Sequence, residues 1–112
     1  MATTFNGSQL ERGIQSLVWT LGNADNGQSI PAVRLADKTV QIAGTFGGAT
    51  ITLQGSNDDT NWETLNDADG VAIAKTASFL GLIRENPKSI RAISSGGTGT
   101  AVTVTVVAKQ VT

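Results

Sequence analysis

The sequence predicts an all-β protein: an antiparallel β-sandwich, Ig-like or jelly-roll-like, of about six to eight short strands with an extended N-terminal arm. Two observations carry this prediction. Apolar and polar residues alternate with a period of two along several runs of the chain, which is typical of half-buried strands. Turn signals rich in glycine separate these runs at short intervals. The length of 112 residues suits one domain, and we expect an arm over residues 1–12 and a single sandwich domain over residues 13–112.

The clearest strand lies in TAVTVTVVAK, where Val102, Val104 and Val106 share one face and Thr103 and Thr105 the other. The β-branched side chains of this run favour a strand. Segment 13–20 is a less regular strand candidate, and segment 76–83 predicts either a strand or a short apolar turn. The same alternation gives four more pairs of inward-facing residues, which are Val40 and Ile42, Ile51 and Leu53, Val71 and Ile73, and Ile90 and Ala92. Around the last pair, Lys88, Ser89 and Arg91 are expected to be exposed.

Glycine-rich segments mark the predicted turns. GTFGGA (44–49) and SSGGTGT (94–100) are expected to close tight hairpins between consecutive strands, because glycine adopts positive φ without strain. DADG (67–70) predicts a turn that ends in Asp-Gly. Segment 21–32 is a polar loop, long enough to be functional or mobile.

The composition excludes several kinds of chemistry. The chain has no cysteine, no histidine and no tyrosine, so it cannot form disulfides, thiolate metal sites or Ser-His-Asp and Cys-His catalytic groups. The net charge of -1 gives no general attraction to nucleic acid. The N-terminal residues do not resemble a secretory signal, and no apolar run approaches the roughly 18 residues that span a bilayer. We therefore expect no enzymatic activity, no cofactor, and neither nucleic acid nor membrane as a partner.

The stretch GSNDDTNWETL (55–65) concentrates oxygen-bearing side chains around Trp62. It suggests a calcium loop, an acid pair formed by Asp58 and Glu63, or a sugar site with Trp62 as a stacking platform. The EF-hand spacing fails, because the twelfth position counted from Asp67 is Ser78 instead of glutamate. Turn chemistry explains the Asn and Asp residues without an ion. We expect no metal site and no catalytic residue here, and a structural role for Trp62 at the edge or mouth of the core.

Charge is distributed unevenly along the chain. Residues 55–70 contain five acidic side chains and no basic one, whereas residues 71–112 contain five basic side chains and one acidic one. Either the two groups neutralise each other within one chain, or copies of the protein meet acidic side to basic side. The residues that we predict to contact a partner are Arg84, Lys88, Arg91, Asp58, Asp59 and Trp62.

Residues 38–109 also carry an ordered series of strand and turn motifs. A strand ends in Gln-Gly-Ser-Asn-Asp, Asn-Trp and Thr-Leu follow, then an Asp-x-x-Gly turn and a Pro-x-x-Ile-Arg strand that ends in Gly-Gly. The residues concerned are Gln54 to Asp58, Asn61, Trp62, Thr64, Leu65, Asp67, Gly70, Pro87, Ile90, Arg91, Gly96 and Gly97. This order resembles the small structural proteins of tailed-bacteriophage virions, in particular head decoration (cement) proteins.

The resemblance implies a non-enzymatic protein on the capsid surface, made in the cytoplasm of the bacterial host. Its implied partners are the major capsid protein and further copies of itself, with a trimer favoured. A tail, baseplate or fibre-attachment module of the virion is the first alternative, and a small carbohydrate-binding module the second.

Overall fold

The computed structural model describes residues 5–11 and 13–110, with side chains from residue 13 onward. Over these residues the chain contains ten strands and no helix. The strands in chain order are β1 (Phe5–Glu11), β2 (Ile14–Leu21), β3 (Ile30–Pro31), β4 (Leu35–Thr45), β5 (Thr50–Ser56), β6 (Glu63–Thr64), β7 (Ala74–Lys75), β8 (Phe79–Leu82), β9 (Ser89–Ser95) and β10 (Ala101–Gln110).

The strands form two sheets in which every pairing is antiparallel. The first sheet has the order β1-β2-β10-β4-β8. The second has the order β3-β9-β5-β6, and β7 pairs with β5 beside β6. The prediction of an all-β protein with two antiparallel sheets is confirmed.

The N-terminal segment contributes to the first sheet. Residues 5–11, which lie within the predicted arm, form β1 and pair with β2 from Phe5 opposite Trp19 to Glu11 opposite Ile14. The described part of the segment is therefore a hydrogen-bonded edge strand. Residues 1–4 and 12 lie outside the described residues, and the division of the chain at residue 12 stays a prediction.

The core lies between the sheets and is built from the alternating apolar residues. Val102, Val104 and Val106 of β10 are fully buried, as are Val40 and Ile42 of the neighbouring β4. Ile51, Leu53, Ile90 and Ala92 form the facing layer from the second sheet. Trp19 of β2 is also fully buried and its indole Nε1 donates to the Gln28 carbonyl oxygen at 2.8 Å, which satisfies the one polar atom of this large side chain.

Two predicted hairpins are wrong in their pairing. Segments 44–49 and 94–100 do reverse the chain, with positive φ at Gly44, Gly47, Gly48, Gly96, Gly97 and Gly99. However, the first leads from β4 in the first sheet to β5 in the second, and the second leads from β9 back to β10 in the first sheet. Both segments are therefore arches between sheets. They contact each other, since Thr98 N donates to the Gly47 oxygen at 3.0 Å and Thr100 Oγ1 to the Phe46 oxygen at 2.8 Å.

Two further residues differ from the expected exposure. Val71 is 53% exposed, because it belongs to the Asp67 turn: its amide donates to Asp67 Oδ1 at 3.0 Å, and the next strand begins only at Ala74. Ser89 is buried instead of exposed, because β9 is an inner strand and Ser89 pairs with Ser56 and Pro31 on its two sides. The turn predicted at 67–70 is present, with Gly70 N donating to the Asp67 oxygen at 3.0 Å.

The polar loop 21–32 runs alongside β9 and is held to it at several points. Asp25 N donates to Ser94 Oγ at 2.7 Å, and the same hydroxyl donates to the Gly22 oxygen at 2.6 Å. Gly27 N donates to the Ala92 oxygen at 2.8 Å. The loop therefore closes the edge of the second sheet.

Candidate interaction surfaces

The outer face of the first sheet is a regular array of uncharged side chains. The pairing register aligns outward-facing residues of β2, β10, β4 and β8 in cross-strand rows. The rows are Ser16-Val107-Thr39-Leu82, Val18-Thr105-Gln41-Leu80 and Thr20-Thr103-Ala43. Ser16 is buried, and the other ten side chains are half-buried or exposed. We call these eleven residues the uncharged face.

The uncharged face has the composition of a contact surface. Surfaces of small soluble domains usually carry about a quarter to a third of charged residues, whereas this face carries none. Depletion of charge at the centre is what distinguishes protein interfaces from the remaining surface. Two of its apolar side chains are well exposed, Leu80 at 69% and Leu82 at 45%. The exposed ion pair between Lys109 and Asp37, with 3.7 Å between Nζ and Oδ2, lies beyond the first row.

The acidic stretch 55–65 is a loop between β5 and β6 that Asp58 holds in place. Asp58 Oδ1 accepts from Thr60 N at 2.9 Å, from Asn61 N at 2.8 Å and from Ser56 Oγ at 2.9 Å, and Oδ2 accepts from Asn61 Nδ2 at 2.7 Å. The backbone bonds from Asn61 and Thr60 are the main reason why the pKa of Asp58 lies well below its usual range. Asp58 is therefore an ionised carboxylate whose oxygens are already engaged, which suits a structural role better than acid-base chemistry.

Asp59 and Trp62 connect this loop to the basic residues of β9. Asp59 Oδ2 forms an ion pair with Lys88 Nζ at 2.9 Å, and a hydrogen bond from Ser89 together with Lys88 lowers the pKa of Asp59. The guanidinium of Arg91 stacks over the Trp62 ring at 4.3 Å and donates from Nε to Gln54 Oε1 at 2.8 Å. Part of the acidic loop is thus neutralised within the chain.

The structure brings together five of the six residues that the sequence predicts to contact a partner. Asp58, Asp59, Trp62, Lys88 and Arg91 lie in and around this loop, whereas Arg84 lies beside the turn at Gly70. Their contact with a partner stays a prediction. Sequence analysis did not identify the uncharged face as a site. The alternation in β10 showed that its threonines face outward, but the rows that they form with other strands depend on the sheet register.

A groove of about 650 Å³ lies between the acidic loop and residues 85–87. Inside it the Glu85 carboxylate accepts from Asn66 N at 2.7 Å and from Asn66 Nδ2 at 2.8 Å. Burial alone would raise the pKa of Glu85, but the hydrogen bonds from Asn66 outweigh burial and lower it. Trp62 does not line this groove, so the groove offers polar side chains without an aromatic platform.

Lys38 is a fully buried lysine in contact with Asn86, a residue that lines the groove. Its Nζ donates to Asn86 Oδ1 and to the Leu35 carbonyl oxygen, the latter at 3.4 Å. Burial lowers the pKa of Lys38, opposed in part by nearby Asp37. This side chain ties the start of β4 to the segment that enters β9.

Across the described residues, no three acidic side chains gather closely enough to hold a metal ion. Nor does any helix within residues 5–11 and 13–110 have the length and apolar character needed to cross a membrane.

Comparisons with known proteins show the fold. No family model matches the chain, and no curated protein matches it. Among solved structures, the SPBc2 prophage-derived protein YomS is similar with a TM-score of 0.61 and 13% identity, over 85% of this chain and 93% of that one. A cupin domain from Bordetella pertussis is similar with a TM-score of 0.53 and 11% identity, over 99% of this chain and 95% of the other. At these identities the likeness extends to the architecture of packed antiparallel sheets, which one prophage-derived protein shares.

Proposed function

We propose that this protein is a non-enzymatic structural component of a tailed-phage virion, and specifically a decoration protein that binds the outer surface of the head. The observation that carries the proposal is the uncharged face of the first sheet, a surface without charged residues and with two exposed leucines. The motif resemblance over residues 38–109 supports the virion context, as does the fold shared with a prophage-derived protein.

The size of the uncharged face fits binding to a repeating lattice. Four strands at about 4.8 Å spacing and three rows of outward residues cover roughly 400 Å². A stable complex between two free proteins usually buries about 800 Å² on each partner. A contact of half that area is weak alone, but it becomes effective when many copies bind neighbouring sites and each other. The expected partner is therefore the major capsid protein, and the expected location is the capsid surface.

Capsid binding with charged variants tests this proposal. Gln41→Glu combined with Thr103→Glu places two carboxylates in the middle of the uncharged face, where both side chains are exposed. The matched control is Gln28→Glu combined with Thr76→Glu, which adds the same charges at exposed positions outside that face. Purified protein is mixed with expanded, undecorated capsids and bound copies are counted in cryo-EM reconstructions.

We expect ordered density with the unmodified chain and the control, and at least tenfold weaker binding of the face variant. Absence of ordered density with the unmodified chain at saturating concentration would reject the head role. The number of copies in native virions separates the head from the tail, baseplate or fibre alternative, because hundreds of copies indicate the head and a handful indicate the tail.

A further inference from the structure

β8 is the least protected edge strand of the described sheets against pairing with another strand. Natural edge strands are shielded by bulges, prolines, charged residues or very short length. β1 has an irregularity between Gln9 and Glu11, β3 ends in Pro31, and β6 and β7 have two residues each. β8, with the sequence FLGL, has four residues and contains no proline, charge or bulge of its own, and a cation lies beside it, Lys75, whose Nζ is 4.3 Å from the centre of the Phe79 ring.

The side chains of β8 add to its exposure. Leu80 and Leu82 are 69% and 45% exposed on the outer face. On the inner side, the Phe79 ring packs where a side chain of Gly81 would otherwise lie. An exposed apolar edge of this kind is a template for pairing.

The free hydrogen-bonding groups of β8 belong to the two leucines. Ile83 N donates to the Lys38 oxygen at 2.8 Å, and β8 pairs with β4 from Phe79 opposite Ile42 to Leu82 opposite Thr39. Because groups in an antiparallel ladder alternate between the two sides of a strand, Phe79 and Gly81 bond to β4. The amides and carbonyls of Leu80 and Leu82 then face away from the sheet.

We propose that β8 pairs antiparallel with β8 of a second copy of this chain, in the register that places Leu80 opposite the partner's Leu82 and Gly81 on the twofold axis. This register joins the free groups of the leucines in four hydrogen bonds. It also keeps all leucines on the outer face, whereas a shift by one residue would turn them to opposite faces. The two first sheets become one continuous ten-stranded sheet.

Electrostatics and area indicate how strong this contact is. β8 itself carries no charge. Beyond it, the Arg84 amide already donates to the Asn66 oxygen at 2.9 Å, so the new pairing ends at Leu82 and the edges meet without like-charge repulsion. The paired edges bury roughly 300–400 Å² on each copy, below the usual size of a stable interface. We expect a dissociation constant on the order of 100 µM. The proposed dimer does not rest on capsid binding, although Leu80 and Leu82 belong to both surfaces, and its symmetry differs from the trimer that the resemblance implies.

Sedimentation equilibrium of the free protein tests the contact without any capsid. The unmodified chain is expected to form a dimer with rising concentration. Leu80→Lys and Leu82→Lys, which introduce the charge typical of protected edges, should each raise the dissociation constant at least tenfold. Thr20→Lys, on the uncharged face but at its far side on β2, should leave it unchanged. Circular dichroism verifies that each variant is folded.

Cysteine pairing tests the register, with no background because the chain contains no cysteine. Directly opposite residues in a hydrogen-bonded pair lie about 5.5 Å apart between Cα atoms, which a disulfide spans. A mixture of Leu80→Cys and Leu82→Cys chains, oxidised with glutathione disulfide, should give mainly the mixed dimer.

A free protein that stays monomeric to 1 mM, or that forms a trimer, would overturn the proposal. A dimer insensitive to both lysine variants would do the same, as would preferential linkage of like chains in the cysteine mixture. The variant Gln41→Glu with Thr103→Glu is assayed by capsid binding, whereas the β8 variants are assayed by sedimentation of the free protein. The capsid-binding proposal and the dimer proposal can therefore fail independently.

Discussion

Replacing Val104 with alanine tests the assignment of inner and outer faces on β10. Val104 is fully buried and pairs with Trp19 on one side and Ile42 on the other. Its neighbour Thr103 is exposed on the uncharged face. The same reduction in side-chain size should therefore have very different effects at these two adjacent positions.

The expected loss of stability follows from the burial of Val104. Removing two buried methyl groups costs about 1.6 kcal/mol of transfer free energy. A cavity of roughly 45 Å³ that does not relax adds about 1 kcal/mol. We therefore expect Val104→Ala to lower the free energy of unfolding by about 2.5 kcal/mol, and Thr103→Ala by less than about 0.5 kcal/mol.

Urea denaturation followed by tryptophan fluorescence measures both values, and Thr103→Ala is the control. Val104→Asp extends the test, because an unpaired carboxylate in this site costs several kcal/mol, a large part of the stability of a small domain. We expect that variant to be unfolded, whereas Thr103→Asp folds. Equal losses at positions 103 and 104 would refute the strand register and with it the uncharged face.

Three further predictions concern single side chains. Asp58→Ala should speed amide hydrogen exchange at Thr60 with little change in global stability, and unchanged exchange would contradict the loop assignment. Because the folded-state pKa of Asp58 is lowered, the contribution of its carboxylate to loop stability is present above the unfolded pKa. That contribution is lost as pH falls through the folded-state pKa. Burial lowers the folded-state pKa of Lys38. Between the folded-state and unfolded-state pKa values the unfolded chain therefore binds more protons, and the free energy of unfolding rises with pH. Lys38→Met should remove this rise, which is measured by urea denaturation at a series of pH values. A rise of the same size in Lys38→Met would show that another group is responsible. Trp62→Phe should remove the emission that acrylamide quenches readily, since the remaining Trp19 is fully buried; strong quenching in this variant would place Trp19 near solvent.

The alternation of apolar and polar residues was sufficient to predict the long strands. In β10, β4 and β5 the inward residues are those that a period of two selects, because each of these strands has one face on the core. The two-residue strands β3, β6 and β7 were beyond this method, since alternation needs more residues than they contain.

Strand partners were the part that local signals could not supply. The glycines of segments 44–49 and 94–100 allow the positive φ angles that reverse the chain, and such angles occur both in hairpins and in arches between sheets. Which one forms depends on whether the next strand packs beside or across from the previous one. The uncharged face was hidden for the same reason, because Leu80 and Thr105 fall into one row only through the order β10-β4-β8. The acidic loop looked like a binding site because its sequence does not reveal that Asp58 bonds to its own backbone neighbours.

The central place of β10 in the first sheet has a consequence for biosynthesis. β10 lies between β2 and β4, so neither strand has its main partner until residues 101–110 have left the ribosome. The first sheet therefore cannot be completed before β10 is available, and its folding waits for that strand. Until then β2 and β4 each keep one unpaired edge, and nascent copies expose the same edges to one another. A truncation before residue 101 would fix the chain in that open state, and we expect such a product to be insoluble or degraded.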